Sequence, residues 1–126
     1  MIAAIVFCAA IAGLALFQAA LIAGAPLGRL AWGGQHRILP RRLRVGSVIS
    51  IGLYALFALI VLDRAGVWQI AAFVTIRPYA TWVLMGYFLL GVVMNGISRS
   101  PPERLAMTPL AAVLAVCCFV VAQGPN

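Results

Sequence analysis

The side chains able to carry chemistry in this chain are few and scattered. Two acids occur, Asp63 and Glu103, with one histidine, His36, and three cysteines, Cys8, Cys117 and Cys118. Acid–base or metal-assisted catalysis needs such groups within mutual reach. His36 has no second histidine and no neighbouring acid with which to hold a metal or haem. The cysteines lack the Cys-x-x-Cys spacing of a disulfide oxidoreductase. They read either as small apolar packing residues or as a disulfide from Cys8 to Cys117 or Cys118. No catalytic group, metal site or cofactor is expected, and the chain reads as non-enzymatic.

The remaining functional group is guanidinium. All nine basic residues are arginines, and Arg37, Arg41, Arg42 and Arg44 crowd one segment. Their planar forks suit phosphate. That segment, residues 24–44, holds four glycines and two prolines, which argue against a continuous helix. It also holds Leu27, Leu30, Trp32, Ile38, Leu39 and Leu43, too apolar for a solvated linker. A folded cap is predicted, with Trp32 anchored and Gly33-Gly34 at a sharp turn. The candidate headgroup- or ligand-binding residues are Trp32, Gly33, Gly34, Gln35, His36, Arg37, Arg41, Arg42 and Arg44. Trp32 and His36 are expected to matter more than Arg29.

These residues need elements to position them, and the composition says which. Of the 126 residues, 65% are hydrophobic and 9% charged, and the mean hydropathy is +1.12. A soluble domain has roughly 25% charged residues. Charge-free stretches run over 1–28, 45–62, 78–98 and 105–126, and about 20 apolar residues cross a bilayer. The pattern predicts an all-α bundle of four transmembrane helices at about 2–23, 45–62, 78–97 and 105–123. A fifth stretch, 65–76, is too short to span and is expected along the interface. The first block lacks a basic leader, its first arginine being Arg29, so it reads as a retained helix rather than a signal peptide.

The arginines also set the orientation. Seven lie in the first and third loops and only Arg64 and Arg77 in the second, which predicts those two loops in the cytoplasm and both termini outside. The formal charge of +7 then points to anionic lipid headgroups as partners rather than nucleic acid. A homo-oligomer or a membrane complex is the other kind of partner open to the chain. With this orientation Gln18, Ser47, Ser50, Asn95 and Thr108 share one depth beneath the cap. Polar groups in a membrane are costly unless paired or facing a wet cavity. Two readings stay open: a small polar pocket that includes Gln18 and Asn95, or isolated hydrogen bonds between and within helices. Small residues at Ala15, Ala19 and Ala23, and at Ala9 and Gly13, are expected to bury one face of the first helix. The glycines Gly86, Gly91 and Gly96 give a weaker signal on the third. Asp63 and Glu103 fall on opposite faces of the membrane, and each is expected to offset its neighbouring arginine, Arg64 or Arg104, or to cap a helix.

One run carries a resemblance. Gly24-Ala25-Pro26-Leu27-Gly28, Ala31-Trp32-Gly33-Gly34-Gln35-His36-Arg37, Leu39-Pro40 and Leu43-Arg44-Val45-Gly46-Ser47 together resemble a signature of small bacterial four-span inner-membrane proteins. No internal repeat or low-complexity segment divides the chain, so a single domain over residues 1–126 is expected; the resemblance implies a four-span topology in the bacterial inner membrane and brings no activity with it. The function expected is a binding or accessory component whose inner loop engages lipid headgroups or a partner. The alternatives are an oligomeric transporter or channel subunit and, behind it, a redox component. No Asp, Glu, Lys, Arg or His falls inside the four predicted spans, which disfavours proton-coupled transport.

Overall fold

The computed structural model describes residues 1–124. Four helices make up the bundle: α1 (Ile2–Ile22), α2 (Arg41–Arg64), α3 (Arg77–Gly96) and α4 (Pro101–Gln123). Single 3-10 turns occur at Gly28–Leu30, Trp32–Gly34 and Ala71–Phe73, and the described residues contain no strand. Each of the four helices is long and apolar enough to cross a membrane. The chain has the make-up of a small multi-pass membrane protein.

The ends of the helices follow local chemistry. α1 and α2 each stop two residues before a glycine with positive φ, Gly24 at +94° and Gly66 at +80°. Both ends carry the paired bonds of a Schellman motif: Ala25 N–H to Ala20 C=O with Gly24 N–H to Leu21 C=O, and Val67 N–H to Leu62 C=O with Gly66 N–H to Asp63 C=O. Glycine takes this left-handed position without a Cβ clash. α4 opens on Pro101 and Pro102, where the missing N–H costs no helical bond. α2 and α4 each begin four residues before the charge-free stretches, so Arg41, Arg42, Arg44, Glu103 and Arg104 occupy their first turns. Proline at Pro40 and at Pro101 supplies those starts.

α3 packs chiefly on α4 and α1 chiefly on α2, with a further α1–α4 seam. The core joins Phe7, Ile11, Phe57, Val61, Phe88, Leu114 and Cys118. Phe88 meets both Phe7 and Phe57 edge to face, at ring distances of 5.7 and 5.8 Å. On α1 the buried residues are Ala4, Phe7, Ile11, Gln18 and Leu21, a coiled-coil-like seam. The expected small-residue face is therefore corrected: Ala9, Gly13 and Ala19 are exposed, and a Cβ on Gly13 would meet nothing within 4 Å. Large and small side chains alike are soluble in lipid, so packing shape decided the face. On α3, Gly91 and Gly96 do bring α4 close, at Ala111 and Thr108, while Gly86 is open. Cys8, Cys117 and Cys118 are free thiols, the last two buried in the core.

The start of α1 and the end of α4 lie at one end of the bundle, with the α2–α3 connection. That connection is clasped by Asp63, which accepts from Arg77 at 2.6 and 2.9 Å and from the Ile70 backbone N–H at 2.7 Å. Arg77 in turn donates to the Ile70 carbonyl at 3.1 Å. The expected pairing of Asp63 with Arg64 is not made. Adjacent helical residues do not face each other, and Arg64 instead donates to the Ala122 carbonyl at 2.9 Å, tying α2 to α4. The segment 24–40 closes the opposite end, together with the α3–α4 turn.

Candidate functional site

The cap is built by three close approaches. Gly28 donates its N–H to the Arg37 carbonyl at 2.8 Å, closing residues 28–37 into a loop, and a Cβ there would collide with the His36 carbonyl. The Trp32 ring lies against Gly46 of α2, where a Cβ would come within 2.8 Å of it. Its indole N–H points at the Ser47 hydroxyl, 3.4 Å away. Gly34, at φ +72°, sits against the side chain of Ser100, whose hydroxyl donates to the Arg29 carbonyl at 2.5 Å. Gly33 and Gly34 both have positive φ, the sharp turn expected of them. Leu39 is buried. Ser47 and Ser100, one from α2 and one from the α3–α4 turn, thus hold the cap at two sites.

Two concavities adjoin the cap. The larger, of ≈ 490 Å³, lies among all four helices beneath the cap. Gln18, Ser50, Tyr54 and Asn95 line it between the helices, Trp32 and Glu103 line it at the cap end, and its remaining wall is mainly apolar. Gln18 and Asn95 are therefore brought together, as the shared depth suggested, yet the pocket is far more apolar than a cluster of polar residues implied. Ser47 is used by Trp32, and Thr108 packs on Gly96. The hydrogen bonds inside and between helices are also made: Ser50 to the Gly46 carbonyl at 3.0 Å, Asn95 to the Gly91 carbonyl at 2.8 Å, and the Gln18 amide to the Tyr54 hydroxyl at 3.4 Å.

The smaller concavity, of ≈ 380 Å³, is a cleft between the cap and the start of α4, lined by Arg29, Gly33, Gly34, Gln35, Arg99 and Ser100. Its two cations are not those of the sequence cluster. Arg37, Arg41 and Arg42 are exposed and line neither concavity. Arg44 turns back to the Leu39 carbonyl at 2.8 Å and covers Gly24. His36 lines neither space; its carbonyl rather than its ring is what the cap packs around. Arg29, ranked below His36 from the sequence, belongs to the cleft, and Arg99 was missed. Only the contact of the cap with Ser100 brings residues 29 and 99 together, and no local pattern announces it.

Glu103 also departs from expectation. Its carboxylate accepts from the Ser98 hydroxyl at 3.0 Å, while Arg104 donates to the Ser98 carbonyl at 3.1 Å. The sequence Ser100-Pro101-Pro102-Glu103 has capping-box form, but Ser100 spends its hydroxyl on Arg29 and donates its N–H to Ser98 Oγ at 3.1 Å. Among the described residues the one ion pair is Asp63–Arg77, and no cluster of three potential metal ligands occurs.

The fold and its two concavities define the class: a small four-helix membrane protein with a folded cap. No family model, curated protein or solved structure matches the chain.

Proposed function

We propose that this chain is a non-enzymatic bacterial inner-membrane binding protein whose cap, on the cytoplasmic side with both termini outside, engages anionic lipid headgroups. The observation that carries the reading is the cleft of ≈ 380 Å³ in which Arg29 and Arg99 flank the Gly33-Gly34 turn. Two guanidinium forks beside a backbone without side chains suit a phosphate oxygen set. Exposed Arg37, Arg41, Arg42 and Arg104 at the same end add attraction to an anionic leaflet without requiring a defined site.

Native mass spectrometry from nanodiscs containing phosphatidylglycerol tests this. A hydrogen bond to a charged group contributes about 1.5–3 kcal/mol, so Arg29→Gln with Arg99→Gln is expected to weaken retention of the anionic lipid by about a hundredfold or more. Arg41→Gln with Arg42→Gln removes equal charge away from the cleft, where each residue contributes about 1 kcal/mol through the leaflet alone, and is expected to weaken it by about thirtyfold at most. Equal losses in both double variants would leave attraction to the leaflet but no cleft site.

An oligomeric transporter or channel subunit is the second reading. It is favoured by the larger cavity, which extends from the cap to Phe88 and Leu114 in the bundle core. Saturable flux in proteoliposomes would select it.

A further inference from the structure

The larger cavity is a different site from the headgroup cleft, and its chemistry has a sign. Its polar lining has spent donors inside the protein. Ser50 gives its only proton to Gly46, and Trp32 directs its only N–H at Ser47. The amides of Asn95 and Gln18 each donate to the protein, to Gly91 and to Tyr54. Each amide keeps one N–H and the Tyr54 hydroxyl keeps its proton, but the two buried groups of the lining left short of partners are both acceptors. Gln18 is 7% exposed and its Oε1 has no hydrogen-bond partner. Glu103 is 8% exposed, its carboxylate has one hydroxyl donor, and it forms no ion pair among the described residues.

A buried carboxylate with a single neutral donor is short of partners, since an ionised carboxylate accepts about four hydrogen bonds and burial without a counter-charge is costly. The basic side chains nearest in sequence do not supply one. Arg104 is exposed and turned to a carbonyl, and Arg99 is exposed and lines the other cleft. The rest of the wall is aromatic and soft. Trp32, Tyr54, Tyr87 and Phe88 line the cavity with Met94 and Met107. Tyr87 and Phe88 stand edge to face at 5.1 Å, with Phe57 linking Tyr87 to Tyr54. Aromatic faces attract cations, and methionine adapts to varied apolar shapes. A volume of ≈ 490 Å³ falls in the range of small-molecule sites, roughly 300–1,000 Å³.

We propose that this cavity binds the ammonium group of an amphipathic amine, with Glu103 as counter-charge and the apolar body held among the aromatic residues between the helices. The amine can belong to a free hydrophobic amine or to the ethanolamine headgroup of a phospholipid. Both present an N–H-rich cation, joined directly to the apolar body in the free amine and through a phosphate and glycerol in the lipid.

The test uses the full chain in phosphatidylglycerol nanodiscs, titrated with aminoadamantane and with adamantanol, its neutral counterpart of similar size. Binding is followed by Trp32 fluorescence against a Trp32→Phe blank. The amine is expected to saturate at one molecule per chain. A hydrogen bond to a charged group contributes about 1.5–3 kcal/mol, so the alcohol is expected to bind at least about tenfold more weakly. Glu103→Gln, which keeps shape and loses charge, is expected to cost the amine a similar factor and to leave the alcohol unchanged. Gln18→Met should cost the amine a few-fold. Replacing part of the lipid by phosphatidylethanolamine then assigns the source. A rise in apparent Kd in proportion to that lipid means the headgroup competes for the site, and an unchanged Kd means a free amine is the occupant. No saturable binding of the amine, or equal binding of amine and alcohol, overturns the proposal. So does a Glu103→Gln variant with wild-type melting and wild-type amine affinity. Should that variant fail to fold, the comparison of amine with alcohol on the unaltered protein decides alone. Loss of headgroup binding in the Arg29 and Arg99 variants with amine binding intact would separate the two sites.

Discussion

Asp63→Ala is expected to lower the thermal midpoint more than truncation of any other charged residue at the end of the bundle where α2 joins α3. The carboxylate is 2% exposed and holds three donors: two nitrogens of Arg77 and the Ile70 N–H. Its removal strands a half-buried guanidinium and an amide at once. Breaking a buried pair by deleting one partner costs about 3–5 kcal/mol. With the Arg77 side chain 22% exposed, water relieves part of this, so a loss near the lower end, about 3 kcal/mol, is expected. Scanning fluorescence in detergent micelles reads it, since Trp68 lies within the clasped segment and Trp82 shortly after Arg77 in sequence. The double variant Asp63→Ala with Arg77→Ala removes the stranded charge and should lose less than the two single variants summed. It should not recover fully, because the Ile70 N–H and carbonyl lose their partners as well. Strict additivity would mean that Asp63 and Arg77 do not act as a pair.

The second large effect is expected at Gly28, and its comparator is Gly33. Gly33→Ala places a methyl group in open space at φ +78°, so it bears only the left-handed penalty of about 1–2 kcal/mol. Gly28→Ala drives a methyl group into the His36 carbonyl and strains the Gly28–Arg37 hydrogen bond of 2.8 Å. Backbone cannot yield as a flexible side chain can, so the overpacking cost is expected at the upper end of its usual range, about 3 kcal/mol or more. The cap should open locally while the four helices stay folded. Trypsin cleavage after exposed Arg37 is the readout. It is expected to speed up by about tenfold or more in Gly28→Ala relative to Gly33→Ala, with little change in helical circular dichroism. Equal cleavage rates would show that the 28–37 closure does not hold the cap.

The four spans were legible because the bilayer taxes each charged residue individually, wherever its neighbours lie. Charge-free stretches therefore mark helices directly, and proline and glycine positions mark their ends to within a few residues. The cap was legible for a similar reason: Gly33 and Gly34 turn sharply, and Trp32 is too apolar to be left in a free loop. The association of Gln18 with Asn95 followed from depth alone, since helices crossing one bilayer bring equal depths to equal heights.

What depth cannot give is the direction in which each residue faces. In water the buried face of a helix is its apolar face, but in lipid both faces are apolar, so Ala9 and Gly13 could turn outward while Phe7 and Ile11 turned in. The partners of the charged groups were hidden for the same geometric reason. Asp63 stands next to Arg64 in the chain, yet the 100° step of a helix separates them, and folding delivers Arg77 instead. Arg29 and Arg99 share a cleft only because Ser100 reaches the Arg29 carbonyl across the packed cap. Residue type and span placed the groups in the membrane; side-chain packing between distant segments chose which of them meet.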